Sequence, residues 1–207
     1  FPSVKGNDAH RRQALRSSEQ EKALANLPEE HRDIFQFMMM TGLRHGEVVA
    51  ILVESVNIDR RYVWVERRRS GSKERPGSKN NEVMPVPLND TALAIVMKHT
   101  KNKFPKDYLF INPSTRRPYT QWFISNLWRK HSGTDLTSYE ATRHSFCSNL
   151  KADIRTAQRL MRHRDQRSTD NYFHAYMEDL VQVVQQMDNV KNLKEHNESI
   201  TKIGGDY

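Results

Sequence analysis

The sequence predicts a mainly α-helical α+β domain with a small three-stranded antiparallel sheet near residues 62–88. Apolar residues recur at helical spacing on both sides of that segment, over residues 29–52 and 90–131. Within it, β-branched and aromatic residues predict strands. Pro85 and Pro87 place the last strand at a sheet edge, because proline has no N–H to donate to a neighbour. Apolar residues make up 36% of the 207 residues, enough for the core of one domain.

The N-terminal part is predicted to be helical after an irregular start. Residues 1–17 lack a sustained apolar period and are interpreted as a linker. Ser18 begins a capping-box pattern that opens a short helix. Pro28 is placed to start a second helix, which Gly42 ends. A shorter helix is expected over about residues 44–52.

Strands and turns occupy the middle of the chain, and helices follow. Residues 62–65 and 83–88 predict strands, separated by the turn-rich basic segment 70–78. Residues 67–69 are compatible with a continuation of the first strand or with the start of a second one. The helices predicted after the sheet are 90–101, 120–131, 138–151, 155–162, 168–176 and 177–187, and Ser138 is the predicted cap of the third. Residues 188–207 are polar and are expected to form a flexible tail.

The charge balance indicates a polyanionic partner. The formal net charge is +8 and the pI is near 9.6, which favours nucleic acid, with a generic basic surface as the alternative. The single cysteine excludes an internal disulfide and a cysteine-rich metal site. The sequence has no apolar run of ~18 residues and no signal-peptide pattern, so we expect a cytoplasmic protein rather than a membrane-spanning or secreted one.

Two motifs in the first half carry basic residues suited to phosphate chemistry. TGLRHGEV places Arg44 at a helix start, where its fork of donors joins free backbone N–H groups. The plainer interpretation is an i,i+3 ion pair with Glu47. SKNNEVMPVPL carries Lys79 ahead of an edge strand, as a proton donor or as a solvated loop lysine.

Two further motifs lie in the second half. YEATRHSF contains Arg143, and LMRHRDQRSTDNYFHAY contains His163 with Tyr172 nine residues later. An arginine, a histidine and a tyrosine are the groups needed to hold a phosphodiester, manage a proton and attack phosphorus. Tyr176, one helical turn after Tyr172, is the competing candidate for the nucleophile.

In order and spacing, these motifs resemble those of the catalytic domain of the tyrosine recombinase (phage integrase) family, over about residues 18–187. The resemblance implies the integrase-type helical catalytic fold, with an N-terminal core-binding domain attached through residues 1–17. It implies a site-specific recombinase of a mobile genetic element, acting in the bacterial or archaeal nucleoid on double-stranded DNA, without metal or cofactor. It also implies a homo-oligomer, with a dimer on each site and a tetrameric synapse. Helix 177–187 would then pack into a partner, or alternatively onto its own domain.

The resemblance also implies a role for each matching residue. Tyr172 is expected to be the nucleophile that forms a 3′-phosphotyrosyl bond. Arg44 and Arg143 would clamp the phosphate oxygens. Lys79 would protonate the leaving 5′ oxygen, and His163 would donate a hydrogen bond to the phosphate or assist the tyrosine proton. The guanidinium groups would supply the charge stabilisation that Mg²⁺ supplies in other phosphoryl transfers.

Further residues are expected to support catalysis or to contact DNA. Glu47 would support Arg44. The residues predicted to contact DNA are Arg67, Arg68, Lys73, Arg75, Arg162 and Arg164.

The sequence departs from the family pattern at Glu140, where the family most often has histidine, and at Met161-Arg162, which replace the usual Leu-Gly before His163. Glu140 would accept the tyrosine proton, stay neutral with a pKa raised by a phosphate, or support Arg143 one turn away. The departure favours one alternative function, a catalytically silent DNA-binding domain. The other alternative is relaxation of DNA by a type IB topoisomerase-like enzyme.

Overall fold

The computed structural model describes residues 14–71, 73–76 and 83–150, together with 156, 159–160, 181 and 184–185. The helices are α1 (Ser17–Asn26), α2 (Glu29–Thr41), α3 (His45–Val48), α4 (Asp90–Thr100), α5 (Gln121–His131) and α6 (Ser145–Asn149). The strands are β1 (Val56–Asn57), β2 (Tyr62–Val65), β3 (Arg67–Ser70), β4 (Lys73–Pro76) and β5 (Met84–Pro87). A 3₁₀ turn, Val53–Ser55, precedes β1, and a π-helical turn, Glu140–His144, leads into α6. The predicted α+β class is confirmed.

Helix α2 forms the centre of the core and packs against α1, α4 and the π-helical turn. Ile34, Phe35 and Phe37 are each at most 2% exposed. The ring of Phe35 lies 5.5 Å from that of Trp128, and the ring of Phe37 lies 5.2 Å from that of Phe110. Because burial of one such side chain contributes about 1.5–3 kcal/mol, this aromatic layer is a main source of the stability that holds the site.

Gly42 ends α2, as predicted, and turns the chain towards α3. Its φ of 62° lies in the left-handed region, which glycine adopts without steric strain. A Cβ atom at this position would lie 2.5 Å from the ring of Phe146. Glycine is therefore required here both by the backbone conformation and by the approach of α6.

Helix α3 ends at Val48, four residues before the predicted end at Leu52. The backbone that follows bonds to a distant loop instead of continuing the helix. The N–H of Leu109 donates to the carbonyl of Ile51 at 2.8 Å, and the N–H of Val53 donates to Asp107 at 2.9 Å. Tertiary hydrogen bonds thus outweigh the helical pattern of the apolar residues.

The sheet differs in detail from the predicted one. Strands β1, β2 and β5 form an antiparallel sheet in that order, with Val63 opposite Val86. Strand β5 lies at an edge, as Pro85 and Pro87 predict, whereas β1 lies outside residues 62–88. Strands β3 and β4 form a separate two-stranded ribbon. The sequence allowed a second strand at residues 67–69, where β3 lies, but β4 lies in the segment predicted to be a turn-rich loop. The polar, basic residues of β4 carry no apolar pattern, so the sequence did not indicate this pairing.

The end of the predicted linker belongs to the packed domain. Leu15 is buried, its N–H donates to Ser145 Oγ at 2.8 Å, and its carbonyl accepts from Asn149 at 3.0 Å. The cap of α1 is Arg16, whose N–H donates to the carboxylate of Glu19 at 2.7 Å, rather than the predicted Ser18. The other linker residues, 1–13, lie outside the described residues.

Part of the predicted C-terminal helix packs on the same chain. Val181, Val184 and Gln185 are helical, and Val184 is 1% exposed. The amide of Gln185 donates to Asp90 Oδ1 at 3.0 Å and accepts the N–H of Asp90 at 3.3 Å. This part of the segment therefore covers the start of α4. The remainder of 177–187, the helix 168–176 and the tail 188–207 lie outside the described residues. Among described helices, none has the length and apolar character needed to span a bilayer.

Candidate active site

The first and second arginine motifs meet at the end of α2. The guanidinium of Arg143 donates through Nη1 to the carbonyl oxygen of Gly42 at 2.5 Å. Arg143 is completely buried, whereas the side chain of Arg44, two residues after Gly42, is 21% exposed. The fold thus brings two predicted phosphate-binding arginines, far apart in sequence, to one end of α2.

Glu47 fixes the start of α3 and the side chain of Arg44 at the same time. Its Oε2 accepts the backbone N–H of Arg44 at 2.9 Å, and its Oε1 accepts Arg44 Nη1 at 3.0 Å. Glu47 is 1% exposed, so these charge-assisted bonds are shielded from water. The i,i+3 ion pair of Arg44 with Glu47 is therefore present, and it involves the carboxylate that was predicted to support Arg44.

Glu140 caps the helix that carries Arg143. Its carboxylate accepts both the hydroxyl of Thr137, at 2.7 Å, and the N–H of Thr137, at 2.8 Å. These two donors, the hydroxyl first, hold the pKa of Glu140 below its ordinary value. The cap is Thr137 rather than the predicted Ser138. The neutral form predicted for Glu140 depends on a neighbouring phosphate, so it stays a prediction.

A widened helical turn surrounds Arg143. The hydroxyl of Ser145 donates to the carbonyl of Glu140 at 2.8 Å, and that of Thr142 donates to Ser138 at 2.7 Å. Such side-chain bonds compete with the helical ladder, and single π-helical turns frequently mark functional sites. The hydroxyl residues on either side of Arg143, Thr142 and Ser145, are the sequence signal for this turn.

His45 is a residue of this region that the sequence reasoning missed. It lies between Arg44 and Gly46, is 9% exposed, and contacts the ring of Tyr139 edge to face at 6.2 Å. Burial lowers its pKa to about 4, opposed by a hydrogen bond with the backbone of Ser138, so the imidazole is neutral at pH 7. Its position beside Arg44 was the available signal. A cleft of about 650 Å³ opens beside His45, between α5 and residues 134–139.

The remaining predicted site residues fall into two groups. Arg67, Arg68, Lys73 and Arg75 lie on the ribbon of β3 and β4. The others lie outside the described residues: Lys79, Arg162, His163, Arg164 and Tyr172. Within the described ranges, no cluster of three or more histidine, cysteine, aspartate or glutamate side chains suits a metal ion.

Comparisons of sequence place these motifs among known proteins. The phage integrase family matches residues 13–179. The chain is 30% identical over 153 residues to tyrosine recombinase XerC of Bacillus subtilis (strain 168), covering 70% of this chain and 49% of that protein. It is 27% identical over 150 residues to tyrosine recombinase XerA of Saccharolobus solfataricus, covering 71% and 46%. The chain therefore spans about half the length of these relatives.

Solved structures share the fold at low sequence identity. The Tn1549 transposon integrase in complex with transposon right end DNA superposes with a TM-score of 0.65 at 17% identity, covering 84% of this chain and 68% of that one. A lambda integrase dimer bound to a COC′ core site gives 0.56 at 19% identity, covering 77% and 60%.

Proposed function

The chain belongs to the phage integrase family, and we propose that it is a site-specific DNA recombinase that cleaves and rejoins strands through Tyr172. The observation that best supports this function is the bond from Arg143 to the carbonyl of Gly42. It joins the two arginine motifs and fixes Arg143 to the backbone two residues before Arg44.

Cleavage would be a transfer of one phosphoryl bond. The phenolic oxygen of Tyr172 attacks phosphorus, the bond from phosphorus to the 5′ oxygen breaks, and a 3′-phosphotyrosyl linkage forms. Lys79 gives a proton to the leaving 5′ oxygen, and His163 donates to the phosphate or takes part in the tyrosine proton transfer. Rejoining reverses these steps with a 5′-hydroxyl as the attacking group. The linkage conserves the bond energy, so no nucleotide is needed.

Arg44 and Arg143 would stabilise the charge that grows on the non-bridging oxygens. Guanidinium groups held before the reaction starts need no reorganisation when that charge develops. The carboxylate of Glu47 accepts a hydrogen bond from the guanidinium of Arg44, and the carbonyl of Gly42 accepts one from that of Arg143. In this proposal Glu140 starts the helix of Arg143 and takes no proton from the tyrosine.

The substrate would be double-stranded DNA, bound by a dimer at each site, with two sites paired in a tetramer. The net charge of +8 supports a polyanionic partner. The relatives named tyrosine recombinases and the integrases solved with DNA support the same class of substrate. Exchange of segment 177–187 between copies would replace the contact of Gln185 with Asp90 in the same chain.

The test is trapping of the covalent intermediate by the full chain. Duplexes tiled across the DNA that flanks the encoding gene, each carrying a nick beside the scissile position, lose the short 5′-hydroxyl strand after cleavage and cannot be resealed. The expected product is a protein–DNA adduct that Tyr172→Phe abolishes and the matched control Tyr176→Phe retains.

The outcomes separate the parts of the proposal. Absence of an adduct with the wild-type chain, on duplexes that it binds, would overturn the recombinase function and favour a silent DNA-binding domain. An adduct that survives Tyr172→Phe would overturn the choice of nucleophile alone. Efficient relaxation of a supercoiled plasmid without paired sites would favour the topoisomerase alternative.

A further inference from the structure

Two carbonyl groups of the π-helical turn accept hydrogen bonds from side chains. The carbonyl oxygen of Ala141 accepts from the side-chain amide of Gln20, far away in the sequence, at 2.8 Å. The carbonyl oxygen of Glu140 accepts from the hydroxyl of Ser145, also at 2.8 Å. These carbonyls belong to the second and third residues before Arg143. Because a side chain that inserts into the hydrogen-bond ladder of a helix distorts it, the two donors help to set the shape of the turn.

The amide of Gln20 is bonded at both of its polar atoms. Gln20 lies in α1 and is 3% exposed. Its Nε2 donates to Ala141, and its Oε1 accepts from Nδ2 of Asn149 in α6 at 3.2 Å. A buried amide that is bonded in this way has one preferred orientation, because turning it over would leave polar atoms without partners. Gln20 therefore provides a fixed donor for the turn.

The segment before α1 is bonded to the same turn. Asn149 Nδ2 also donates to the carbonyl of Leu15 at 3.0 Å, and the N–H of Leu15 donates to the hydroxyl of Ser145 at 2.8 Å. Ser145 is completely buried. Two chains of hydrogen bonds thus run from residues 15–20 to consecutive carbonyls of the turn. One passes through Ser145, and the other passes through Gln20.

The position of Arg143 depends on both the turn and the end of its side chain. Arg143 is completely buried, and its Nη1 donates to the carbonyl of Gly42 at 2.5 Å. That bond fixes the guanidinium, whereas the turn fixes the Cα atom from which the side chain extends. A residue that stabilises a transition state must be supported by its neighbours, since a displacement of about 1 Å can lower the rate by roughly 10²-fold.

We propose that Gln20 is a positioning residue for Arg143, and that it acts by stabilising the widened turn that carries the arginine. Gln20 has almost no exposed surface to offer to DNA, so its effect on cleavage passes through Arg143. This inference rests on the proposed function, because it takes Arg143 to be part of the phosphate clamp.

The first test measures cleavage by Gln20→Met, which keeps the length of the side chain and removes the amide. The rate constant of single-turnover adduct formation at saturating duplex is expected to fall by about tenfold, while the Kd of the duplex stays within about twofold of the wild type. A loss of folded protein alone would lower the amount of adduct but not this rate constant.

The matched control is Asn26→Leu. It removes another side-chain amide of α1, which donates to the carbonyl of Ser132 at 3.2 Å and has no bond to the turn among the described contacts. The rate constant of this variant is expected to stay within about twofold of the wild type. An equal loss in Gln20→Met and Asn26→Leu would overturn the inference.

A double variant tests whether the effect of Gln20 passes through the arginine. Gln20→Met combined with Arg143→Lys is expected to react within about twofold of Arg143→Lys alone, because residues that act as one unit have non-additive effects. A further tenfold loss in the double variant would show that Gln20 acts independently of Arg143, and it would overturn the inference.

Amide hydrogen exchange of the DNA-free chain gives a measurement that needs neither cleavage nor the double variant. Gln20→Met is expected to speed exchange at residues 142–145 by about tenfold, because losing a buried hydrogen bond eases local opening. Asn26→Leu should not have this effect. Unchanged exchange at the turn in Gln20→Met would overturn the inference even if wild-type adducts form. Faster exchange confined to the turn, with no wild-type adduct, would support the positioning of Arg143 by Gln20 and overturn only the recombinase function.

Discussion

The two helix starts that carry the arginines use the same device in different surroundings. In each, a glutamate accepts the backbone N–H of the residue three positions before it. Glu47 does so for Arg44 and is buried, with its second oxygen on the guanidinium of that arginine. Glu140 does so for Thr137 and is partly exposed, with Arg143 one turn further on.

The difference shows that a capping glutamate can stabilise the helix start alone, or can also orient an arginine. Glu47 both starts the helix and orients an arginine, because the cap residue is the arginine. At the second start the cap is Thr137, so Glu140 serves the helix, and Arg143 is oriented from outside by the carbonyl of Gly42. Arg44 should therefore depend on its own helix for its position, and Arg143 on the packing of α2.

The largest expected effects come from replacing each arginine by lysine. Both changes remove a fork of donors and should lower the rate of adduct formation by at least about 10²-fold. Their effects on stability should differ. Arg143→Lys leaves an ill-matched ammonium in a fully buried position and should lower the free energy of unfolding by about 3 kcal/mol or more. Arg44→Lys, in a partly exposed position beside Glu47, should lower it by about 1 kcal/mol or less.

Urea unfolding and single-turnover cleavage on the trapping substrate measure the two quantities. Equal destabilisation by both variants would contradict the contrast between the two arginines. Unchanged cleavage by either variant would remove that arginine from the clamp.

The sequence predicted the helical framework well because its signals are local. Gly42 follows the last residue of α2, and Asn89 and Thr120 precede the first residues of α4 and α5. The side chains of Asn89 and Thr120 accept backbone N–H groups, as helix caps do. The early end of α3 depends on hydrogen bonds to a loop some fifty residues away, and the pairing of β3 with β4 depends on polar residues without an apolar pattern. Neither has a local signature.

The site was predictable as a set of residues but not as a set of contacts. The motif spacing selected Arg44 and Arg143, yet no pattern indicates that the carbonyl of Gly42 accepts from Arg143. Glu140 was judged against the family pattern, although its capping partner was visible in the sequence TSYE. His45 was overlooked because a single histidine beside an arginine has no distinctive spacing.

A change of intermediate size is expected at His45, which lies between the two helix starts. Burial lowers its pKa from the ordinary 6.5 to about 4, so the unfolded chain takes up the proton first as the pH falls. The wild-type protein should thus lose about 3 kcal/mol of stability through this group between pH 6.5 and pH 4. His45→Phe keeps an aromatic edge against Tyr139 and should lack this loss.

Urea unfolding of both proteins across this pH range tests the prediction. The carboxylates and the other histidines are common to both proteins and cancel in the difference between their free energies of unfolding. Parallel stability curves would show that the buried imidazole does not titrate as expected.

The smallest effect is expected at Glu140, and it decides which task that residue performs. In Glu140→Gln the amide oxygen can still accept from Thr137, so the loss of stability should be about 0.5 kcal/mol. Because the hydrogen bonds from Thr137 lower the pKa of Glu140, its carboxylate stabilises the fold above its ordinary pKa, and this stabilisation is lost as the pH falls below it. The difference in stability between the wild type and Glu140→Gln should therefore disappear at low pH.

The rate of cleavage decides between the two roles of Glu140. A cap predicts cleavage within about twofold of the wild type, whereas removal of a general base predicts a loss of about 10²-fold or more. Glu47→Gln is the matched control, and it should be more destabilising because it removes the charge that faces Arg44 inside the protein. A large loss of cleavage in Glu140→Gln, with stability retained, would restore the proton acceptor and show that the two glutamates share a position but not a role.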